Sequence, residues 1–205
     1  MARQNAILDA FSSQQREAVR SMQHLLANLE DRLSSRESRT VITLPRVGIF
    51  VDVPNVMLEA EKMKVTLDFG KLLEYLTRGR ELVRASAYAP ISDDPTSRLE
   101  VQRFVQPFVG RGYRIITKPL KRFADGTVKA NFDIELAMDV LTMSERLDTV
   151  VLVSGDGDFR RLVELVASKG VRVEVVAFAQ STSADLRTVA DQFTDLGTLL
   201  PELQA

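Results

Sequence analysis

Two aspartates stand in a glycine turn, Ser154-Gly155-Asp156-Gly157-Asp158, directly after the apolar run Val150 to Val153. A short β-rich apolar run bounded by turn residues reads as a buried parallel strand. A turn just past such a strand lies at the carboxyl edge of an open α/β sheet, where ligands bind. One acid suffices to cap the helix that follows. Two close carboxylates raise each other's pKa unless positive charge lies between them, so the pair favours a cation site over capping alone. Two more acids occupy comparable places. Asp52 ends a second apolar run over 47–52. Asp133 opens a helical pattern and shares its face with Leu136, Ala137 and Val140; a first-turn acid on the helix dipole is the plainer alternative there. Strand ends converge on one edge in such folds, so Asp52, Asp133, Asp156 and Asp158 can meet.

Hard oxygen donors in a chain without cysteine suit Mg²⁺ or Mn²⁺. Such an ion relieves the repulsion among the acids, lowers the pKa of a water and neutralises a phosphate during in-line displacement. The one histidine, His24, lies far along the chain from the acidic turn and is expected to decorate a helix. The set therefore fits phosphodiester hydrolysis better than acyl transfer, which calls for a Ser–His pair. Supporting roles fall to three residues. Asn55 orients a water or phosphate, or forms an Asx turn fixed by Pro54. Asp139 lies about 120° round its helix from Asp133 and either supports it or is solvated. Ser154 sits in the acidic turn itself. Lys118, Lys121, Arg122 and Lys129, with Arg111 and Arg114, make six basic residues between 111 and 129 against Asp125 alone. Such a run either holds a polyanion's backbone or is a solvated face. Phe123 is the only aromatic in that loop, which gives little support for base stacking.

The elements that must position these groups alternate. Strands are expected over 47–52, 81–88 (closed by Pro90), 113–117, 149–153 and 171–177. Helices are expected from Asp68, over 95–109, 132–144 and 159–169, and once or twice after Ser183. Residues 53–65 read as a loop with a short amphipathic piece, and 118–129 as a basic loop. Strands alternating with helices predict right-handed βαβ units in an α/β fold with a mostly parallel five-stranded sheet. Residues 1–40 differ: they hold no glycine or proline, and Leu8, Phe11, Ala18, Met22, Leu25, Leu29 and Leu33 recur at helical spacing. They read as a helical extension whose stripe packs on the following domain or on a second copy, a possible homo-oligomer.

The 205 residues suffice for one domain and an appendage, and the net charge of −1 gives no general pull toward polyanions. No run is long and apolar enough to span a membrane, and the first residues lack a signal peptide's apolar core. A cytoplasmic protein is the expectation.

Three segments together resemble the NYN branch, in particular the LabA-like proteins, of the PIN-like ribonuclease superfamily. They are Gly48-Ile-Phe-Val-Asp52-Val-Pro-Asn55, Lys129-Ala-Asn-Phe-Asp133-Ile-Glu-Leu-Ala-Met-Asp139 and Leu152-Val-Ser-Gly-Asp156-Gly-Asp158-Phe159. Leu186-Arg-Thr-Val-Ala-Asp191-Gln-Phe193 is a weaker fourth. The resemblance covers about 46–196. It implies a three-layer α/β/α domain over 46–200, an acidic Mg²⁺- or Mn²⁺-binding cleft and RNA hydrolysis. It carries metal-binding roles to Asp52, Asp133 and Asp156, with Asn55 and Asp158 assisting. Two departures stand out: Val53-Pro54 replaces the usual residues between the first Asp and Asn, and the spacing from Lys129 to Asp133 is one residue longer than usual.

Other readings fit less well. Haloacid-dehalogenase-like phosphatases, to which Gly155-Asp-Gly-Asp158 is also similar, need an acid where Pro54 stands. Toprim-like domains end their first strand in glutamate. No Walker-type loop is present. The competing reading is an inactive RNA- or protein-binding regulatory module that keeps the fold and the acids.

Overall fold

The structure is a computed structural model that describes residues 20–28, 43–92, 98–122, 128–129 and 131–204. The chain divides into two compact units, Met1–Thr43 and Leu44–Ala205. In the first, residues 20–28 are helical (α1), with Met22, Leu25 and Leu26 exposed. His24 decorates this helix as expected, its Nδ1 3.0 Å from the side-chain amide of Asn28 one turn on. The rest of the expected helical extension lies outside the described residues.

The second unit runs β1 (Arg46–Asp52), α2 (Val53–Lys62), α3 (Phe69–Thr77), β2 (Glu81–Ile91), β3 (Arg114–Pro119), β4 (Lys121–Arg122), β5 (Val128–Lys129), α4 (Asp133–Ser144), β6 (Thr149–Val153), α5 (Arg160–Ala167), β7 (Arg172–Ala177), α6 (Ala184–Val189), β8 (Gln192–Asp195) and α7 (Leu196–Leu203). Six strands form one sheet in the order β3-β2-β1-β6-β7-β8, and every neighbouring pair is parallel. From β1 the chain builds outward through β2 and β3, then crosses to β6 and builds the other way. The switch point therefore lies between β1 and β6, where such sheets open a crevice at their carboxyl ends.

Both faces are covered. Val53, Val56 and Ala60 of α2, Phe69, Leu72 and Leu76 of α3, and Leu196, Leu199 and Leu203 of α7 pack on one face. Leu136 and Val140 of α4, Leu162, Val163 and Val166 of α5, and Leu186 of α6 pack on the other. All five residues of β6 are buried in consequence, which is why its sequence is a continuous apolar run rather than an alternating one.

Several expectations need correction. The sheet has six strands, not five: β8 is four residues, one exposed and three half-buried, paired with β7 and too short to show an alternating pattern. Residues 53–62 are helical rather than a loop. Asp52 caps α2 and Pro54 sits in its first turn, where its missing N–H has no partner to lose. Pro90 does not close β2, which runs on to Ile91. Beyond Tyr88 the neighbouring β1 has ended, so a residue without an N–H breaks no ladder bond on that side. In place of the helix over 95–109 the described part has two 3₁₀ turns, Leu99–Val101 and Gln106–Phe108. Pro107 blocks regular helix there, and residues 93–97, with Pro95, lie outside the described residues. The expected basic loop contains strands: Lys118 belongs to β3, and β4 and β5 form an antiparallel pair. The helix expected from Phe159 starts as a 3₁₀ turn, Gly157–Phe159, and becomes α5 at Arg160; Gly170 follows at φ 81°, a conformation open to glycine.

Candidate functional site

Asp52 is the last residue of β1 and the N-cap of α2, its Oδ1 accepting from the Asn55 amide at 3.4 Å. Its Oδ2 accepts from the Ser154 hydroxyl at 3.0 Å. Ser154 is fully buried just past β6, and its Oγ accepts from the Asp156 amide at 3.2 Å. Asn55 bridges the same gap from the other side, its Oδ1 accepting from the Gly155 amide at 2.9 Å. The ends of β1 and β6 are thus stitched together by two side-chain bonds. Asn55 therefore clamps the turn through its Oδ1 rather than forming a simple Asx turn.

The glycine turn is wedged. A Cβ on Gly155 would lie 2.9 Å from the Thr182 hydroxyl and 3.2 Å from the Thr182 Cα, and the Ser183 amide donates to the Gly155 carbonyl at 3.1 Å. Only glycine permits this approach to the segment before α6. Asp156 caps the 3₁₀ turn, accepting from the Asp158 amide at 3.0 Å. Capping and site-lining coexist here, because one oxygen serves the turn and the other remains. Asp133 lies in the first turn of α4, where Asn131 accepts from its amide at 2.7 Å.

Asp52, Asn55, Asp133 and Asp156 line one cavity of about 510 Å³ together with Asn131, a polar residue that the pattern analysis passed over. Asp158 does not line it and is exposed, although its charge reaches Asp133. Asp139 is elsewhere: its Oδ2 accepts at 2.8 Å from the hydroxyl of Tyr88, a fully buried residue of β2. Lys118 is occupied, donating to the Asn131 carbonyl at 3.1 Å and pairing with Glu135. Lys121, Arg122 and Lys129 fall on the β4–β5 hairpin; their side chains, and Phe123, lie outside the described residues.

None of Asp52, Asp133, Asp156 and Asp158 takes part in an ion pair among the described residues. Burial pushes the Asp52 carboxyl up to about 6. The bonds from Ser154 and Asn55 oppose that shift, and the charges of Asp133 and Asp156 add to it. Asp133 is also raised, first by burial and then by Asp156, Asp158 and Glu135, against the hydrogen bond from Asn131. Among the described residues no three acids or histidines are grouped closely enough to hold a metal ion by themselves. Mg²⁺ commonly takes only one or two carboxylates directly and keeps several waters. Hard oxygens with uncompensated negative charge fit such an ion, with water completing its shell.

A parallel sheet with acids gathered at its switch point has the PIN-like, nuclease-type architecture. The model of the NYN domain family matches residues 46–198, and the chain belongs to that family. It is 33% identical over 162 residues to the Low amplitude and bright protein LabA of Synechococcus elongatus, covering 75% of this chain and 85% of that one. An uncharacterized protein of Methanocaldococcus jannaschii is 21% identical over 154 residues, 74% of this chain and 55% of its own. The crystal structure of a Vibrio parahaemolyticus protein of unknown function superposes with a TM-score of 0.65 at 31% identity, covering 75% of this chain and 93% of that one. Among the described residues no helix is long and apolar enough to cross a membrane.

Proposed function

We propose that this protein is a metal-dependent ribonuclease that hydrolyses RNA phosphodiester bonds at the β1–β6 crevice. The observation that carries the reading is the convergence of Asp52, Asp133 and Asp156 on one cavity, none of them in an ion pair among the described residues. A cluster of that kind opposes folding unless a bound cation offsets it. Nuclease-type folds of this family generally use divalent metals and bind RNA, which supports the same reading.

Asp52, Asp133 and Asp156 are the residues that would hold Mg²⁺ or Mn²⁺, with Asp158 at the rim. When bound, the ion supplies charge neutralisation at the phosphate and activation of water. The chain's own contribution is positioning. Ser154 fixes the Asp52 carboxylate, and the Asn55–Gly155 bond sets its distance from Asp156. Tyr88 holds Asp139 and so anchors α4, which carries Asp133. Lys118 braces the segment before α4 through the Asn131 carbonyl, and a role for it in holding RNA requires release from Glu135.

The test is Asp156→Asn. A Mn²⁺ titration by calorimetry and cleavage of a labelled RNA pool in the same buffer are expected to fail together, with cleavage down at least a hundredfold and the melting temperature in metal-free buffer maintained. A variant that cleaves like wild type sinks the assignment. Metal binding by wild type without cleavage of any RNA in the pool points to an inactive binding module.

A further inference from the structure

The cavity is far larger than an ion and a phosphate need, and its other wall is carbon. Pro54, Leu58, Pro90, Phe104 and Leu120 line the same cavity as the acids. Leu58 is 43% exposed and Phe104 is half-buried, so apolar surface faces solvent beside uncompensated carboxylates. Phe104 is held in place. The Arg103 guanidinium lies over its ring, 5.0 Å from the centroid, and Arg103 Nε is tied at 3.0 Å to Glu61 of α2. A ring already fixed by its neighbours loses little freedom when a ligand stacks on it. Leu58 and Pro54 belong to α2, the helix that Asp52 caps, so one element carries apolar and acidic lining residues of the cavity.

We infer that this wall is a subsite for a nucleobase adjoining the scissile phosphate, with Phe104 as its stacking residue. A nucleotide carries both chemistries within one unit: an anionic phosphate for the metal-loaded acids, and a flat, uncharged ring with apolar faces for the carbon wall. Base–aromatic stacking tolerates any base, so the subsite selects an unpaired nucleotide over a paired one rather than one sequence over another. The inference rests on the ribonuclease reading for the identity of the ligand as RNA. It goes beyond that reading in assigning Phe104, Leu58, Pro54 and Leu120 a binding role.

The test uses the full chain and a set of RNA octamers, each with 2-aminopurine at one position, mixed with protein in Ca²⁺ buffer. One position is expected to change its emission several-fold on binding. Phe104→Ala abolishes that change and Phe104→Tyr, which keeps the ring, restores it. Replacing the same nucleotide by an abasic one weakens binding to unaltered protein by about tenfold, a comparison that needs no variant to fold. In Mn²⁺, Phe104→Ala raises KM more than it lowers kcat. If no octamer binds, if no position responds, or if the abasic octamer binds as tightly as its parent, the subsite is wrong. Asp156-dependent cleavage with equal binding of the abasic octamer overturns the subsite and leaves the nuclease reading standing. A Phe104-dependent response with no cleavage in Mn²⁺ keeps the subsite and overturns the nuclease reading.

Discussion

Glu174 and Asp52 are both carboxylates at strand ends of one sheet, and the protein treats them in opposite ways. Glu174, near the start of β7, is 4% exposed and lies between two arginines. Arg80 reaches both its oxygens at 2.9 and 3.1 Å, and Arg172 adds a bond at 2.8 Å. Burial alone would raise its pKa; the two guanidiniums overcome this and hold it below the usual range. At the same amino edge Asp148 pairs with Arg46. Asp52, at the carboxyl edge, receives only a hydroxyl and a distant amide, and burial pushes it up to about 6. The amino edge is electrically closed while the carboxyl edge is left open. Buried charge without a partner is costly, and among the described residues that cost falls on the carboxyl edge.

The comparison can be broken from either side. Glu174→Gln removes the negative charge that both arginines share and replaces one acceptor oxygen by a donor amide, and is expected to destabilise the protein by about 3 kcal/mol, less than a fully buried pair because Arg172 is half-exposed. Urea denaturation at pH 7.5 measures it. A loss under about 1 kcal/mol would mean that the amino edge is no better compensated than the carboxyl edge.

Asp52→Asn should act in the other direction. The folded-state pKa of Asp52 lies above its ordinary value, so the unfolded chain gives up the proton first. Folding is unpenalised below about pH 4, and stability falls as pH rises through about 6. The penalty above that window is roughly 2 to 3 kcal/mol. In metal-free buffer Asp52→Asn is therefore expected to be more stable than wild type at pH 8, with the advantage gone near pH 4. Saturating Mn²⁺ should reverse the order at pH 8. Equal stabilities at both pH values in metal-free buffer would show that the Asp52 charge is already compensated. Glu174 contributes with the opposite sign: its stabilisation is present above its ordinary range and disappears as pH falls below it.

Asp139 is the intermediate case, a carboxylate satisfied by a neutral donor. Tyr88→Phe deletes that donor while keeping the ring on Phe132, whose centroid lies 6.1 Å away. A loss of about 1 kcal/mol is expected, measured by thermal melts, with the pH dependence assigned to Asp52 unchanged. An altered dependence would mean that Tyr88 acts on the site directly rather than through the seating of α4.

Much of the fold was legible because its signals are local. β6 reads as a buried strand since both its faces are covered, which forces an unbroken apolar run. Asp68 reads near the start of α3 since capping needs only the next three residues; it accepts from the amides of Gly70 and Lys71. Elements without a local signal were missed. Four-residue β8 has no period to detect. α2 was hidden by Val53-Pro54, residues poor in helix propensity that nonetheless suit a first turn capped by Asp52. The candidates given secondary parts in the sequence have distinct places in space: Asn55 clamps Gly155, Asp139 accepts from Tyr88, and Lys118 is tied to Glu135 and Asn131.

By itself, then, the sequence determined which groups are acids, where strands end in turns, and that the chain offers no thiolate and a single imidazole; these follow from residue type and near-neighbour geometry. Only the tertiary structure decided which acids keep their charge uncompensated. That depends on where Arg80 and Tyr88 arrive, 94 and 51 positions along the chain from the carboxylates they meet, while Arg172 joins Glu174 from two residues away on the same strand. It also decided that Pro54, Leu58, Pro90, Phe104 and Leu120 line one cavity with the acids. Electrostatic compensation and cavity walls are made by groups that chain crossing brings together, and no local pattern records where a crossing ends.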